Sequence, residues 1–366
     1  MRICIVCSRL SYGGAERVAV LWANGFSRCG HDVMVVSNLY DPITYKLDDG
    51  ILIRNLVIGN RNKTIKWGSS LVKARKSFKE FSPDIIIGVM ELCSIVSKVA
   101  SWGMEIPVIM TEHYAFERLP YGDLTIIERI SKFYVNRLYS YVTVLTEADK
   151  RVIGHRLKHL YVLPNPLALV PIEKIPPKNN VLLAVGRLDG WKVKGFDVLI
   201  KAFGLLIKKE ELRIKDSGWR LQIAGTGSEE SLKYLKQLCK ENGVENFVDF
   251  IGFISDMESH YKRASVFVLS SRYEGFGLVL IEAMSQGCAC IACDYKGRQR
   301  EIIQDDTQGL CCEPDNVEAL ASSINKMISD ENYRESVRMN AIERSKFYSI
   351  DNTIKRWEVL LNQIIK

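Results

Sequence analysis

The chain has 366 residues, of which 47% are hydrophobic and 25% charged, and its formal net charge is +7. This length is more than one hydrophobic core organises, so we expect two domains, and the composition excludes a disordered chain. Because no stretch holds 18 uninterrupted apolar residues, the sequence predicts no membrane-spanning helix. The apolar run after Met1 is too short for a signal peptide and predicts a first strand, so we expect a cytoplasmic protein.

The first half of the chain alternates strand-like and helix-like segments. The predicted strands are Ile3–Ser8, Val33–Ser37, Ile51–Ile58, Ile85–Val89, Val108–Met110, Tyr141–Leu145 and Tyr161–Leu163. The predicted helices are one that starts after the loop 9–14 and others near 68–81, 92–102, 123–138 and 147–156. Alternation of this kind predicts crossover units on a parallel sheet.

A stiff, proline-rich stretch from Pro164 to Asn180 separates this half from the second. The alternation then restarts, with strands predicted at Val181–Val185, Arg220–Ala224, Phe247–Ile251, Val266–Leu269, Ala289–Cys293 and Gly309–Cys312. Helices are predicted near 195–209, 228–242, 256–263, 278–286 and 316–328. The sequence therefore predicts two doubly wound α/β halves facing across a cleft. The tail Asp351–Ile365 is an amphipathic helix that must dock on one of them.

The net positive charge of the chain comes entirely from its first half. Residues 1–170 hold 22 Lys and Arg against 15 Asp and Glu, whereas residues 171–366 hold 28 of each class. One cluster around Trp67 is the densest; it consists of Arg61, Lys63, Lys66, Lys73, Arg75, Lys76 and Lys79. It is either a solvated helix face or a surface for a phosphate-bearing acceptor or an anionic membrane, which would place the protein peripherally at the inner face of the plasma membrane. No nucleic-acid-binding motif accompanies it.

The ten cysteines lie mostly in apolar, strand-like runs, where a reduced thiol packs as a small hydrophobe. Two groups, Cys4-x-x-Cys7 and Cys288-x-Cys-x-x-Cys293, lack the second ligand pair of a zinc site. We therefore expect no metal site and, without an export signal, no disulfides.

One strand, turn and helix in the second half stands out as a ligand site. The turn Glu274-Gly-Phe-Gly277 joins the strand Val266–Leu269 to a helix, and the unpaired amides at such a terminus suit phosphate or hydroxyl oxygens. Glu274 precedes the turn and Glu282 lies about one helical turn inside, so both can face one ligand bound over the loop.

Basic residues stand at the opening of the second half. Arg187 follows a buried strand, and Lys192 and Lys194 precede a helix, so together they suit a diphosphate. Exposure to solvent is the alternative. The turn Ala224-Gly-Thr-Gly227 is explained by a plain strand-to-helix connection.

Two features of the first half are candidates. His113 follows the strand Val108–Met110 and is either a cleft residue or a hydrogen-bonded structural histidine. Gly13 and Gly14 open a helix and let the backbone approach a ligand closely, without the full dinucleotide-binding spacing.

Taken in order, these motifs resemble those of family 4 retaining glycosyltransferases, which have the GT-B fold of two Rossmann-like domains. The resemblance covers nearly the whole chain, and the Glu-x7-Glu element with upstream Arg and Lys is its most specific part. The motifs are Gly13-Gly-Ala-Glu-Arg-Val18, Thr111-Glu-His113, Pro164-Asn-Pro166, Gly186-Arg187 with Lys194-Gly-Phe196, Gly225-Thr-Gly227, Gly252-Phe253 and Glu274-Gly-Phe-Gly-x4-Glu282.

The resemblance implies the reaction. It is the metal-independent transfer of a hexose or N-acetylhexosamine from a nucleotide sugar, by family habit a UDP sugar, with retention and without a cofactor. The acceptor would be a hydroxyl of an oligosaccharide or lipid-linked glycan in bacterial surface glycan assembly. It also implies an N-terminal acceptor domain of residues 1–166 plus 351–366, completed by the final helix, and a donor domain of residues 167–350.

The resemblance also implies residue roles. Arg187 and Lys194 would hold the donor diphosphate, Glu274 the hydroxyls of the donor sugar and Glu282 the ribose. His113 would meet the donor sugar near its reacting carbon. The other donor-site residues are Gly13 and Gly14 near the diphosphate and the acceptor, Phe253 and Ile254 at the base, Gly275, Phe276, Gly277 and Leu278 with their amides, and Gly227.

The sequence departs from the family pattern in two places, and three alternative functions remain open. Arg187 and Lys194 are farther apart than is usual in the family, so Lys192 competes for the role of phosphate lysine. A segment from Gly297 to Ile303 replaces the usual Gly-Pro before Glu-Ile-Ile, which leaves the roles of Arg298 and Arg300 open. The first alternative is a glycoside hydrolase, whose two carboxyl groups must flank one glycosidic bond from opposite sides; the shared helix terminus of the two glutamates disfavours it. The others are a GT-B sugar-nucleotide epimerase and a non-catalytic scaffold that binds sugar nucleotides or membranes.

Overall fold

The computed structural model of the chain describes residues 1–11, 13–56, 63–118, 120, 124–209 and 217–365. The chain forms two compact units. The first comprises Met1–Glu117, Gly122–Ala168 and Ser349–Lys366, and the second comprises Arg118–Tyr121 and Leu169–Tyr348. The polypeptide therefore leaves the first unit after Ala168 and returns to it at Ser349.

The first unit contains a seven-stranded parallel sheet. Its strands are β1 (Arg2–Arg9), β2 (Asp32–Asn38), β3 (Leu52–Asn55), β4 (Ile85–Val89), β5 (Val108–Thr111), β6 (Tyr141–Val144) and β7 (Leu160–Val162). Their order is β3-β2-β1-β4-β5-β6-β7, with every neighbouring pair parallel. The central strands are almost entirely apolar because helices cover both faces of the sheet.

Five helices of the first unit connect these strands: α1 (Gly14–Arg28), α2 (Lys63–Phe81), α3 (Met90–Ala100), α4 (Ile126–Phe133) and α5 (Glu147–Ile153). The predicted helix near 123–138 is shorter than expected, since α4 ends at Phe133 and a 3-10 turn spans Val135–Leu138. α4 begins with a capping box, in which Thr125 and Glu128 satisfy each other's backbone amides. α5 ends where Gly154 takes a φ of +55°.

The second unit contains a six-stranded parallel sheet. Its strands are β8 (Asn179–Val185), β9 (Arg220–Ala224), β10 (Val248–Gly252), β11 (Ala264–Leu269), β12 (Ala289–Cys293) and β13 (Leu310–Cys312). Their order is β10-β9-β8-β11-β12-β13. Both sheets thus have the doubly wound order, and the predicted GT-B class of fold is confirmed.

The described helices of the second unit are α6 (Trp191–Lys194), α7 (Phe196–Lys209), α8 (Glu229–Glu241), α9 (Met257–Arg263), α10 (Leu278–Ser285), α11 (Val317–Ser329) and α12 (Glu331–Ser345). The predictions omitted α12. Its buried face carries Arg334 and Arg338, whose guanidinium groups donate to the carbonyls of Met327 at 2.8 Å and Ser265 at 3.2 Å. Because arginines interrupt its apolar face, the sequence of α12 lacks the helical hydrophobic period.

The C-terminal helix α13 (Ile350–Ile365) packs on α1. The ring of Trp357 lies edge-on to Trp22 at 5.0 Å and to Phe26 at 6.0 Å. Gly25 gives Ile354 room, since a Cβ atom there would lie 2.6 Å from the Ile354 side chain. The amphipathic tail is therefore part of the first unit.

The other predicted strands and helices occur within a few residues of their expected bounds. The predicted strand Ile51–Ile58 is observed as Leu52–Asn55, and its last two positions lie outside the described residues.

Candidate active site

In the second unit, sheet topology brings two sequence motifs to one place. β8 and β11 are hydrogen-bonded neighbours, and the strand order reverses between them. Gly186 and Arg187 follow β8, and the segment from Ser270 to Glu274 follows β11. Since parallel strands end at the same edge, these loops meet at the switch point where doubly wound sheets bind ligands.

An ion pair joins the two loops. The Nζ atom of Lys194 lies 2.6 Å from Oε1 of Glu274, and the hydroxyl of Ser271 donates to the same carboxylate oxygen at 2.8 Å. The side chains of Lys194 and Glu274 are 27% and 17% exposed, so both are accessible from solvent. Gly186 leaves space for the lysine, because a Cβ atom there would lie 3.1 Å from Cγ of Lys194.

The turn that carries Lys194 is fixed to the end of β11. Gly195 has a φ of +65°, and a Cβ atom at this position would lie 1.9 Å from the carbonyl oxygen of Ser270. The Ser270 hydroxyl in turn donates to the Lys194 carbonyl at 2.8 Å. Only glycine permits both this left-handed backbone and this close approach.

Arg272 is a positioning residue that the sequence analysis missed. Its guanidinium makes two hydrogen bonds of 2.8 Å to the carboxylate of Asp197, and its Nε lies 2.6 Å from Asp315. It also donates to the carbonyl of Lys192, while its backbone amide donates to Val193 at 2.8 Å. These bonds raise its pKa, the largest effect being the hydrogen bond with Asp197. The short helix α6 and the end of β11 are thereby held together.

The turn after Glu274 leads into the helix α10, whose N-cap residue is Gly277. Gly277 takes a left-handed φ of +99° directly before α10, and as the N-cap residue it has no side chain to cap the first-turn amides. Phe276 is buried and meets Tyr348 edge-on at 5.5 Å, which anchors the turn. Gly275 and Leu278 flank these residues and are half-buried. The arrangement leaves backbone amides suited to an anionic oxygen.

The two glutamates have separate partners. Glu282 is only 5% exposed, and its Oε2 accepts a hydrogen bond of 3.3 Å from the buried hydroxyl of Tyr261. Glu274, by contrast, pairs with the accessible Lys194. The two carboxylates therefore lie in different environments, one in the core of the unit and one at its surface.

The remaining donor-site candidates surround this edge. Arg187 and Lys192 are exposed, Phe253 is 59% exposed and Ile254 is half-buried. Gly227 packs on the loop after β8, since a Cβ atom there would lie 2.7 Å from Leu188.

Asp189 fixes the same loop. It accepts hydrogen bonds of 2.8 Å from both the backbone amide and the hydroxyl of Ser228, which lower the pKa of its carboxyl group. The loop after β8 is thus tied to the start of α8.

The segment after β12 contains the two arginines of open role. Arg298 is fully buried; its guanidinium lies 5.0 Å over the ring of Tyr295 and donates to the Tyr295 carbonyl at 3.4 Å. Arg300 is exposed and lies 3.3 Å from Asp306. Arg298 therefore stabilises its own loop.

In the first unit, His113 is held as a neutral imidazole. Burial lowers its pKa to about 4, against an opposing hydrogen-bond contribution from Asn165. The hydroxyl of Thr111 donates to the Gly88 carbonyl at 3.2 Å, so at its 3.0 Å contact with Nε2 of His113 it must accept the proton. Nδ1 is then the unprotonated nitrogen, and it makes no hydrogen bond of regular geometry within the described residues.

Glu112 fixes the backbone around His113. Its Oε1 accepts from the amides of His113 and Tyr114, each at 3.1 Å, and its other oxygen pairs with the buried ammonium of Lys132 from α4. Such a buried pair is geometrically demanding, because either partner alone would be an uncompensated charge. The histidine is therefore presented by a rigid loop.

Gly13 and Gly14 start α1. Gly13 is extended, and a Cβ atom there would lie 2.0 Å from the carboxylate of Glu16, which folds back toward it. Glu16 is 8% exposed and accepts hydrogen bonds from Ser8 at 3.3 Å and Arg9 at 3.2 Å. Gly14 is exposed.

The basic cluster on α2 is partly structural. Arg75 donates to the carbonyls of Ala100 at 2.9 Å and Trp102 at 2.8 Å, so it caps the end of α3. Lys76 lies 3.7 Å from Glu80. Arg61 lies outside the described residues, as do the side chains of Lys63, Lys66 and Trp67.

Two other kinds of functional element are absent from the part of the chain that the structure describes. There, no helix combines the length and apolar character needed to cross a membrane, and no three His, Cys, Asp or Glu side chains gather as metal ligands would.

Comparisons with known proteins agree with the family resemblance of the sequence motifs. Residues 12–169 match the family model described as Glycosyltransferase Family 4, and residues 168–344 match that described as Glycosyl transferases group 1. An uncharacterized glycosyltransferase of Haemophilus influenzae is 28% identical over 354 residues, which cover 96% of this chain and 97% of the relative.

Two further proteins are informative. A Campylobacter jejuni alpha-1,4-N-acetyl-D-galactosaminyltransferase, named for a GalNAc-containing PP-undecaprenol acceptor, is 27% identical over 372 residues, covering 100% of this chain and 99% of the relative. The structure of Anabaena HepE in complex with UDP and glucose superposes with a TM-score of 0.78 at 18% identity, covering 99% of this chain and 100% of that one.

Proposed function

We propose, because this chain belongs to the family 4 glycosyltransferases, that it transfers a hexose or N-acetylhexosamine from a UDP sugar to a hydroxyl of a lipid-linked or oligosaccharide acceptor in bacterial surface glycan assembly. Sugar configuration is retained. The observation that carries the proposal is the Lys194–Glu274 pair, 2.6 Å apart at the switch point of the second sheet.

The pair suits a nucleotide sugar chemically. Without a ligand, ammonium and carboxylate neutralise each other. A bound donor would give Lys194 a phosphate oxygen and Glu274 the hydroxyls of the sugar, so each would exchange one partner for another of the same kind. Arg187 and Lys192 are exposed nearby in sequence and supply the net positive charge that a diphosphate requires.

The transferase step follows from this electrostatic arrangement. As the bond between the anomeric carbon and the diphosphate breaks, negative charge grows on the leaving oxygen, and Lys194, Arg187 and the uncapped amides of α10 stabilise it. The acceptor oxygen bonds to the same face of the sugar, and its proton leaves with the diphosphate. Because cations of the chain neutralise the diphosphate, we expect turnover in the presence of a metal chelator.

The other candidates take supporting roles in the proposal. The unprotonated Nδ1 of His113 accepts a hydrogen bond from a donor sugar hydroxyl close to the reacting carbon. Glu282 binds the ribose from beside Tyr261, and Phe253 and Ile254 border the base. Gly13 and Gly14 permit close approach to the diphosphate and the acceptor.

The named ligands of related proteins support the substrate classes. HepE has been solved with UDP and glucose, and the Campylobacter enzyme is named for a PP-undecaprenol acceptor. An acceptor of that kind resides in a membrane, so we place this protein peripherally at the inner face of the plasma membrane. Salt-sensitive attraction by exposed lysines of α2, such as Lys76 and Lys79, would hold it there.

The proposal is tested by incubating the full chain with a panel of UDP sugars and measuring UDP release with and without a polyprenyl-diphosphate-linked glycan. We expect release that depends on the acceptor and continues in EDTA. Epimerisation of a donor without an acceptor would support the epimerase instead, and binding of UDP with no turnover for any donor would support the scaffold.

Single variants identify which lysine contacts the donor diphosphate. We expect Lys194→Met and Glu274→Ala to reduce kcat by about 100-fold or more, since each removes charge stabilisation of the transition state. Lys201→Met and Glu258→Ala are the matched controls on α7 and α9, away from the loops after β8 and β11, and should keep normal rates. If Lys192→Met lost activity while Lys194→Met kept it, Lys192 would be the phosphate lysine.

A further inference from the structure

A basic cavity lies at one edge of the first sheet, opposite to the edge that carries His113. A cavity of about 470 Å³ is bordered by residues 136–142, which lead into β6, and by residues 155–159, which lead into β7. These segments stand at the amino ends of the parallel strands, whereas His113 follows the carboxyl end of β5. The cavity is therefore separate from the edge that carries the proposed reaction, and its volume is within the ~300–1,000 Å³ typical of small-molecule sites.

The charged lining of this cavity is entirely cationic. Arg137, Arg156 and Lys158 border it together with His155 and His159, and no carboxylate does. Within the described residues none of the three cations forms an ion pair with an acidic side chain. Cations gathered without counter-charge repel one another, so the cavity favours an anion.

The two arginines are held in place. The Nε atom of Arg137 donates to the Arg156 carbonyl at 3.3 Å, and its guanidinium lies 5.4 Å from the ring centre of Tyr134. The guanidinium of Arg156 lies 4.7 Å over the ring of Phe133. Stacking fixes each guanidinium while leaving most of its N–H groups for a ligand.

A buried amide also borders the cavity without a partner. Asn136 is 2% exposed, and neither its Nδ2 nor its Oδ1 makes a hydrogen bond to any described residue. The buried hydroxyl of Tyr139 is likewise unsatisfied among those residues. Buried polar groups are rarely left unpaired, because each loses its hydrogen bonds to water without gaining others. An oxygen-rich ligand that accepts from Nδ2 would satisfy the amide.

From these observations we propose that the cavity bordered by Asn136, Arg137, Arg156 and Lys158 binds a phosphate group. Its tetrahedral oxygens accept hydrogen bonds from guanidinium, ammonium and amide donors at once, which a monovalent halide cannot do. The group is either a free phosphate or the phosphate of a lipid head group. A lipid is relevant because Ile126, Ile127 and Ile130 of the adjoining α4 are 77%, 80% and 51% exposed.

Binding of inorganic phosphate and pyrophosphate to the full chain tests the site, measured by calorimetry at fixed ionic strength with UDP saturating the donor site. We expect Arg156→Gln and Lys158→Gln each to weaken phosphate binding about tenfold or more. Asn136→Asp, nearly equal in shape, should abolish it by placing a carboxylate in the cavity. Lys201→Gln in the second unit is the matched control. Phosphate binding that is absent in the parent chain, or equally weakened by Lys201→Gln, would overturn the proposal.

A vesicle arm separates the two sources of phosphate. If a lipid supplies the group, Arg156→Gln and Lys158→Gln weaken binding to vesicles of phosphatidylcholine with phosphatidylglycerol, and free phosphate competes. If phosphate is free in solution, the variants lose calorimetric binding and bind vesicles like the parent chain. No variant effect in either arm would overturn the proposal. The donor-site variant Lys194→Met should retain the site, so failure of the proposed transferase activity would be distinguishable.

Discussion

At the scale of single residues, burial decides what the candidate groups can do. Glu274 and Glu282 belong to one sequence motif, yet Glu274 stays accessible beside Lys194 and Glu282 is buried against Tyr261. His113 is half-buried with its Nδ1 atom buried, and the roles of its ring nitrogens follow from the Thr111 hydroxyl. None of these protonation states or partners is readable from spacing, because each depends on how deeply the fold places the side chain.

His113 makes the stability of the chain depend on acidity. Its pKa is about 4 in the folded chain against 6.5 for the unperturbed group, so the unfolded state binds more protons between these values. The contribution of His113 to the free energy of unfolding is therefore fully present above pH 6.5. As the pH falls toward 4, this contribution of about 3 kcal/mol is lost. Urea unfolding at pH 7 and 4.5 should show a smaller loss for His113→Gln than for the parent chain.

An NMR titration gives the direct check. The imidazole signals of His113 should stay unchanged from pH 8 to 5.5. In the urea experiment, His260→Gln is the control, and it should lose as much stability in acid as the parent chain. A His113 that titrates near pH 6.5 would show that the imidazole is not desolvated.

At the scale of elements, the turn between α6 and α7 controls where Lys194 stands. The turn is fixed by Gly195 against Ser270 and by Arg272, which bridges Asp197, Asp315 and the Lys192 carbonyl. α10 supplies the other part of the site through its uncapped start. The proposed phosphate contact of Lys194 thus depends on Gly195, Ser270 and Arg272, to which the proposal gives no contact with the ligand.

Gly195→Ala should disturb this turn. The substitution places a side chain in a left-handed backbone, at about 1–2 kcal/mol, and drives a Cβ atom toward the Ser270 carbonyl, 1.9 Å away. We expect lower thermal stability and at least tenfold weaker binding of the UDP sugar. Gly190→Ala is the matched control: its φ is −91° and its added Cβ would meet nothing closer than 3.9 Å. Equal effects of the two variants would refute the role of the turn.

At the scale of the whole molecule, the chain closes its first unit with its own last helix. α13 contributes Trp357 to the aromatic contacts around Trp22 and Phe26, and Tyr161 bonds to Gln363 at 2.8 Å. The first unit is therefore incomplete without α13. The ring of Trp22 also lies 5.5 Å from that of His113, so the packing of α13 reaches the support of the histidine.

Trp357→Ala should destabilise the first unit selectively. Removing a fully buried indole costs about 4 kcal/mol through lost burial and the cavity left behind. Hydrogen exchange should accelerate in α1 and the first sheet while residues 179–345 keep their protection. Val359→Ala, on the same helix but 55% exposed, is the control and should change little. Uniform loss of protection in both units would contradict a local role for α13.

The sequence by itself determined the two doubly wound halves, because alternating apolar runs and helical periods report local structure directly. Through its family resemblance, the sequence also implied that Lys194 and Glu274 bind the same donor. Tertiary structure alone decided that Arg272 bridges α6, Asp197 and Asp315, and that Arg334 and Arg338 line the buried face of α12. It also decided that Asn136, which has no hydrogen-bond partner among the described residues, borders a cationic cavity. These features join groups far apart in the chain, and only packing determines which buried polar groups meet and which are left without a partner.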